Sequence, residues 1–200
     1  MVTSAELPPG ATPLDADEAS ALLPGHITQQ AELNEFEQLN IQRAVQWAQS
    51  RIRRLRPHEL LEEGFVRDVH RRMFDRTWAW AGTFRTSAKT IGVDWPQIGF
   101  QLRNLHDDAR HWIEHATFAP DEIAIRYHHR LVLIHPFPNG NGRHSRLLAD
   151  LVAERLGQPA FNWGGGADLV AGNDTRRRYI ASLQQADAGD IASLLAFARS

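Results

Sequence analysis

The sequence contains no cysteine, which excludes disulfide bonds and zinc sites built on thiolates. It also lacks any apolar run near the ~20 residues that a membrane-spanning helix requires, and Met1 is not followed by the basic start of a secretory signal. Neither sign of charge dominates, because the formal net charge of the 200 residues is -2 at pH 7. We therefore expect a cytoplasmic protein without a membrane partner and without a nucleic-acid partner.

Apolar residues recur at helical spacing over much of the chain. From residue 28 to residue 55, apolar residues recur at the spacing of a long amphipathic helix. Breaks at proline and glycine then predict helices at about 57–74, 97–116, 120–134, 141–156, 172–186 and 190–198. Two hundred residues can form one or at most two compact domains, and we expect one. Residues 1–25 are rich in proline, alanine and acids, and are expected to form an arm that is extended or wrapped over this domain.

Residues 135–146 are the most informative stretch, with the sequence His-Pro-Phe-Pro-Asn-Gly-Asn-Gly-Arg-His-Ser-Arg. The apolar helix before it should end at His135, because Pro136 disfavours helical geometry in the residue that precedes it. A histidine at the rim of a polar loop is a candidate base. The alternative is a structural histidine at a helix end, since such loops between helices are common.

The second half of this stretch has the features of an anion site. Gly140 and Gly142 permit backbone conformations closed to other residues, and Asn141 can cap a new helix. The start of that helix offers free N–H groups to a phosphate. Arg143 and Arg146, three residues apart, lie on one face of its first turns and can hold different oxygens of one polyphosphate.

This stretch resembles the signature of the Fic (Fic/Doc) family, His-x-Phe-x-(Asp/Glu)-Gly-Asn-Gly-Arg-x-x-Arg. The resemblance implies an all-α protein, with a Fic-fold helical bundle and a small β-hairpin flap in one Fic domain over residues 26–200. It also implies transfer of AMP from ATP to a Ser, Thr or Tyr hydroxyl of a target protein, the chain itself included. His135 would be the general base, and Phe137 would anchor the loop in the core. The residues implied in phosphate binding are Gly140, Asn141, Gly142, Arg143 and Arg146.

Asn139 is the one departure from the signature, since the family usually has a carboxylate there. The resemblance implies Mg²⁺, or Mn²⁺ as the alternative, at this position. An amide oxygen can bind such a hard cation but brings no charge, so the metal affinity should fall. The alternative function is therefore a catalytically weak nucleotide-binding regulator or a toxin-like module.

Two further segments resemble parts of the family. Residues 80–93 are similar to the flap, on which a target segment would lie as an added strand against Thr90, Ile91, Gly92 and Val93. Without the resemblance, this is a glycine-punctuated loop between helices. Asn173 and Tyr179 are similar to residues that border the nucleoside. On its own, their segment is an N-capped basic helix.

The N-terminal part resembles an inhibitory element of the family. Residues 28–34, Thr-Gln-Gln-Ala-Glu-Leu-Asn, open the helix predicted at about 27–55 and resemble the inhibitory pattern that includes Thr28 and Glu32. The implied contact is Glu32 with Arg146, where the carboxylate would take the place of a phosphate oxygen. A second implied role of Glu32 is to position water for removal of AMP from a modified protein. The alternative is that Thr28 caps the helix and Glu32 favours the helix dipole.

Three other features of the sequence are weaker indications of function. Residues 11–15 and 23–28 resemble a group within the family called mobile mystery protein B. His111 and His115 have a spacing that can chelate a metal on a helix, although we expect exposed histidines there. The basic runs 51–56 and 176–178 are interpreted as solvated helix faces.

Overall fold

The structure, a computed structural model, describes residues 13–165, 169 and 173–200, and in these residues it consists of helices and loops. The α-helices are α1 (Ala16–Ser20), α2 (Gln30–Ile52), α3 (Glu63–Phe74), α4 (Ile98–Glu114), α5 (Pro120–Ile134), α6 (Asn141–Arg155), α7 (Asp174–Asp187) and α8 (Ile191–Arg199). Two 3₁₀ helices, Pro57–Leu61 and Trp95–Gln97, precede α3 and α4. The all-α fold class is confirmed. Of the helices described, none is long and apolar enough to span a bilayer.

One predicted helix is divided in the structure. The segment expected at 57–74 forms the 3₁₀ helix Pro57–Leu61 and then α3, because Glu62 between them is extended, with φ -82° and ψ 138°. The other helix bounds lie within two or three residues of those expected from the sequence.

Helix α5 is the centre of the fold and packs against α4 and α6. It begins at Pro120, and a proline is tolerated there because N–H groups in the first turn of a helix have no acceptor within the helix. Asp121 and Glu122 interact favourably with the positive end of the helix dipole. It ends at Ile134, one residue before the position that Pro136 restricts. His135 follows in a left-handed conformation, with φ 53° and ψ 60°.

The core lies between α5 and the helices around it, where α2 packs on α3 and α7 on α8. Its largest fully buried side chains include Tyr127, Phe74 and Phe137, and burial of such a side chain stabilises a protein by about 2–3 kcal/mol. Because Phe137 belongs to the loop between α5 and α6, the core itself fixes the position of this loop.

The segment between α3 and α4 has no paired strands, so the expected β-hairpin is not formed. Its backbone bonds instead to the end of α5 and to the loop that follows: Val93 N donates to Ile134 O over 3.4 Å, and Arg85 N donates to Pro136 O over 3.0 Å. We call residues 85–93 the flap. The flap therefore lies against His135 on both sides.

The described residues of the predicted N-terminal arm contact the segment after α3 and the flap. Leu22 forms an antiparallel bridge with Trp78, and Lys89 of the flap pairs with Asp15 and Glu18 at α1. Residues 1–12 of the predicted arm lie outside the described residues. The division between an arm and a domain at residue 25 remains a prediction.

Candidate functional site

The loop between α5 and α6 is held by the side chain of Asn141. Phe137 N donates to Asn141 Oδ1 over 2.9 Å, and Asn141 Nδ2 donates to Phe137 O over 2.8 Å. Gly140, with φ 77°, is the N-cap of α6, so the prediction that Asn141 caps this helix is wrong. The carboxamide of Asn141 is bonded to the loop, which leaves its backbone N–H as the group it can offer to an anion.

A buried histidine supports this loop from α3. The His70 ring stacks on Phe137 with centroids 3.6 Å apart; its Nδ1 accepts from Gly82 N, and its Nε2 donates to Asn139 O, each over 3.0 Å. Burial holds the pKa of His70 well below its usual value, so the ring is neutral. Sequence reasoning missed His70, since its role depends on contacts with residues far along the chain.

His135 is 7% exposed at the end of α5. Burial lowers its pKa to about 4, so the imidazole is neutral at pH 7. Its Nδ1 lies 3.4 Å from Val132 O, which favours the tautomer with the proton on Nδ1 and the lone pair on Nε2. Such an imidazole can accept a proton.

The first turns of α6 carry both arginines of the motif, but their contacts differ. Arg143 Nη1 lies 2.6 Å from Glu37 Oε2, and Trp78 Nε1 donates to the other carboxylate oxygen of Glu37 over 2.6 Å. Arg146 lies 5.3 Å from the centroid of the Tyr179 ring. Glu37 is buried in α2 and was not among the predicted residues; its position within the amphipathic helix gave no signal of this contact.

The predicted pair of Glu32 with Arg146 is not formed in the structure. Glu32 is exposed, and its carboxylate accepts from the backbone N–H groups of Thr28 and Gln29 over 3.1 and 3.2 Å. These two bonds lower the pKa of Glu32. Glu32 therefore completes the start of α2, where Gln29 and not Thr28 is the N-cap. The water-positioning role implied for Glu32 has no support from this position.

The residues expected to border a nucleoside lie on α7. Tyr179 is buried, and its hydroxyl lies 3.1 Å from His128 Nε2. Asn173 Oδ1 caps α7 by accepting from Arg176 N over 2.9 Å. The structure brings Tyr179 to Arg146, whereas the segment just before Asn173, residues 170–172, lies outside the described residues.

The flap residues expected to dock a target form the outer edge of the site. Thr90 and Gly92 are exposed, while Ile91 and Val93 are half-buried. Gly92 has φ 121°, and a Cβ placed there would lie 2.8 Å from His135 Cβ. The flap backbone therefore touches the residue that carries the candidate base.

The donor groups do not form a cation site held by the protein alone. Asn139 is neutral, and its Oδ1 already accepts from Gly140 N over 2.6 Å. In the part of the chain that the structure describes, no three His, Asp or Glu side chains meet as metal ligands. His111 and His115 stack with centroids 4.2 Å apart, but a third such ligand does not join them in this part of the chain.

Comparison with known proteins identifies this arrangement. The model of the Fic/DOC family matches residues 60–153, from near the end of the 3₁₀ helix Pro57–Leu61 to near the end of α6. The chain carries a Fic/DOC family domain. Over 138 residues, 67% of its length, it is 31% identical to protein adenylyltransferase fic-1 of Caenorhabditis elegans, and over 136 residues it is 31% identical to protein adenylyltransferase Fic of Aedes aegypti. It spans about a quarter of the length of these relatives, since it covers 26% of each.

Solved structures agree on the Fic fold. A structure of Fic-1 from C. elegans matches with a TM-score of 0.61 and 26% identity, over 91% of this chain and 51% of that one. The BepC protein of Bartonella tribocorum, solved with bound AMPPNP, matches with a TM-score of 0.68 and 16% identity, over 92% and 97% of the two chains. At that identity, the second match speaks for the fold alone.

Proposed function

We propose that this Fic domain is a protein adenylyltransferase that moves AMP from ATP to a hydroxyl of a protein docked on the flap. The observation that carries the proposal is a neutral, buried imidazole at His135, joined by a loop of five residues to the start of α6, whose first turns carry Arg143 and Arg146. The names of the relatives support the same activity. The free N–H groups at the start of α6 and the two guanidinium groups suit the phosphates of ATP.

The reaction follows from these positions. The target hydroxyl loses its proton to Nε2 of His135 while its oxygen forms a bond to the α-phosphorus. The bond from this phosphorus to the bridging oxygen of the β-phosphate breaks, and pyrophosphate leaves. Arg143, Arg146 and the backbone N–H groups at the start of α6 stabilise the charge that develops on the leaving group. Asn173 and Tyr179 remain proposed neighbours of the nucleoside.

Mg²⁺ or Mn²⁺ would enter the site bound to the phosphates of ATP and would neutralise part of their charge, and Asn139 would be the residue of the motif that offers it an oxygen. Because Asn139 supplies no charge, a substitution to aspartate should strengthen metal binding. We expect Asn139→Asp to lower the Mg²⁺ concentration that gives half-maximal transfer. Equal dependence of both proteins on Mg²⁺ would show that residue 139 does not touch the metal.

The proposed function is tested by measuring transfer of AMP directly. The purified protein is incubated with ATP and either Mg²⁺ or Mn²⁺, and intact mass reports AMP added to the chain or to an added protein. His135→Ala should lower the transfer rate by at least about 100-fold, the usual scale of general base catalysis. His111→Ala, an exposed histidine of α4, is the matched control and should transfer at the normal rate. Undiminished transfer by His135→Ala would exclude the proposed base.

The competing proposal is a nucleotide-binding regulator with little or no turnover. Two observations favour it: Asn139 lacks the charge of a carboxylate, and Arg143 is paired with Glu37. The regulator would bind ATP in calorimetry with no AMP transfer in either metal, and Asn139→Asp would change neither result. Transfer by the wild-type protein decides for the enzyme.

A further inference from the structure

Arg85 is a buried cation whose hydrogen bonds all go to backbone carbonyls in the described structure. It is 2% exposed, and its guanidinium donates to His135 O over 2.6 Å, Ser87 O over 2.8 Å, Val93 O over 2.5 Å and Ile134 O over 3.4 Å. Burial lowers the pKa of Arg85, against the smaller opposite effect of Asp94 and Glu18. Burying a charge costs free energy unless hydrogen bonds compensate for the lost water. We therefore look for a role of Arg85 in the groups to which it is bonded.

The four carbonyls belong to two segments with different proposed roles. Ile134 and His135 end α5 and carry the candidate base, whereas Ser87 and Val93 lie in the flap, where a target would dock. One planar group therefore joins both segments. A lysine has a single ammonium group at the end of a flexible chain and cannot reach all four oxygens at once.

Gly92 brings the same two segments into direct contact. A Cβ at residue 92 would lie 2.6 Å from Arg85 Nη2 and 2.8 Å from His135 Cβ, so no side chain fits between them. His135 itself has a left-handed backbone, which is unfavourable for a residue with a Cβ. The bond from Arg85 Nε to the His135 carbonyl opposes relaxation of this backbone.

We infer that Arg85 is a positioning residue, which holds the backbone of His135 and the flap in one unit and so fixes the distance between the base and a docked target hydroxyl. The inference rests on the proposed adenylyl transfer. Arg85 touches neither nucleotide nor target in this assignment, and its effect on the reaction passes through His135 and the flap.

The first experiment compares Arg85→Lys with Arg199→Lys. Arg199 is a fitting control, because its guanidinium also bonds to carbonyls, those of Pro159 and Ala160, as well as to Asp121, and it lies on α8 outside the site. We expect Arg85→Lys to lower kcat for transfer by about 100-fold, the scale of a misplacement near 1 Å. KM for ATP should stay within about twofold, because Arg143 and Arg146 are unchanged. Arg199→Lys should keep both constants.

A second pair of variants reaches the same contact from the flap. Gly92→Ala forces a Cβ between Arg85 and His135, whereas Gly189→Ala, with φ 99°, meets open space. Only the first should lower kcat, and both should stay folded by circular dichroism. The inference is overturned if each control variant loses as much kcat as the variant it is paired with, or if the loss of ATP affinity matches the loss of kcat. Either result would mean that Arg85 serves general stability.

The pKa of His135, followed by NMR of labelled histidine, separates the inference from the proposed function. Its burial and the charges of Arg85 and Lys89 lower this pKa to about 4. In Arg85→Lys, and not in Arg199→Lys, the flap should lift and the pKa should rise toward 6.5, the usual value for histidine. If wild type transfers no AMP, the proposed function fails, while this shift still supports Arg85 as the residue that holds His135. An unchanged pKa in Arg85→Lys overturns the inference whether or not AMP is transferred.

Discussion

The site has two sides that are held in different ways. The motif side consists of α5, the loop and α6, where bonds join residues close in sequence, such as Asn141 with Phe137, and the side chains are buried. The cover side consists of residues 13–23, Glu37 of α2 and the flap. It reaches the motif side through two charged side chains, Glu37 to Arg143 and Arg85 to the His135 carbonyl, and through the backbone N–H groups of Arg85 and Val93. The motif side is thus a preformed framework, and loss of one charged side chain should loosen the cover side.

Acid should destabilise the whole fold, and this is the largest effect we expect; of the five histidines responsible, His128, His135 and His144 lie on the motif side. Burial lowers the pKa of His106, His135 and His144 to about 4 and that of His128 to about 3, and it also lowers the pKa of His70. In the unfolded chain these histidines take up protons near pH 6.5, while the folded protein does not. Each of the four with a pKa of about 4 or 3 therefore weakens the fold by about 1.4 kcal/mol per pH unit as the pH falls from 6.5 toward 4, and His70 acts in the same direction.

One group opposes this acid effect. Burial raises the pKa of Asp150 in α6 to about 6, so the folded state binds a proton there that the unfolded state binds only near pH 3.8. Five histidines outnumber one aspartate, and the net result is a loss of stability below pH 6.5. Urea unfolding at pH 7.5, 6.5, 5.5 and 4.5 measures it. A free energy of unfolding that stays level across this range would contradict the neutral, buried state of the histidines.

Gly140→Ala should damage the motif side by a steric clash. A Cβ at this N-cap would lie 2.5 Å from two ring atoms of Phe74, which is fully buried and has no room to move. Gly157→Ala is the matched control, because it has a similar φ of 83° and meets no atom within 4 Å. Both pay for a left-handed alanine, and Gly140→Ala should lose about 1–3 kcal/mol more, the usual cost of overpacking. Equal losses in urea unfolding would mean that Phe74 yields.

The sequence predicted the motif side better than the cover side, for a physical reason. Pro136 acts on its immediate neighbour, so the end of α5 and the position of His135 could be read directly. The contact of Glu37 with Arg143 joins residues 106 apart, and that of Arg85 with His135 joins residues 50 apart, so neither leaves a local pattern. The expected hairpin failed in the same way, since Arg85 and the loop after α5 bind the flap backbone that strand pairing would have used.

Glu37→Gln should release the cover side from Arg143. The variant keeps an oxygen for Trp78 Nε1 but removes the charge that faces Arg143, which becomes available to phosphate oxygens. We expect the Kd for ATP to fall about tenfold, equal to about 1.4 kcal/mol, in isothermal titration calorimetry. Glu32→Gln removes an equivalent charge from an exposed position of the same helix and should leave the Kd unchanged. If Glu32→Gln lowers the Kd for ATP more than Glu37→Gln does, Glu32 would be the inhibitory residue that the family resemblance implies.

The smallest effect should come from the arm, where two carboxylates meet Lys89 with different exposure. The Lys89 side chain is 4% exposed, that of Glu18 is 13% exposed and that of Asp15 is 41% exposed. Because water screens the more exposed pair, Asp15→Asn should loosen the arm less than Glu18→Gln. Hydrogen exchange of the Ala79 amide, which donates to Ala21 O over 3.0 Å, reports this directly. Exchange at the Ala79 amide should rise severalfold in Glu18→Gln and hardly at all in Asp15→Asn. Exchange at the Phe137 amide of the motif side should stay unchanged in both variants. Faster exchange at both amides would show that the two sides open together and that the arm stabilises the whole domain.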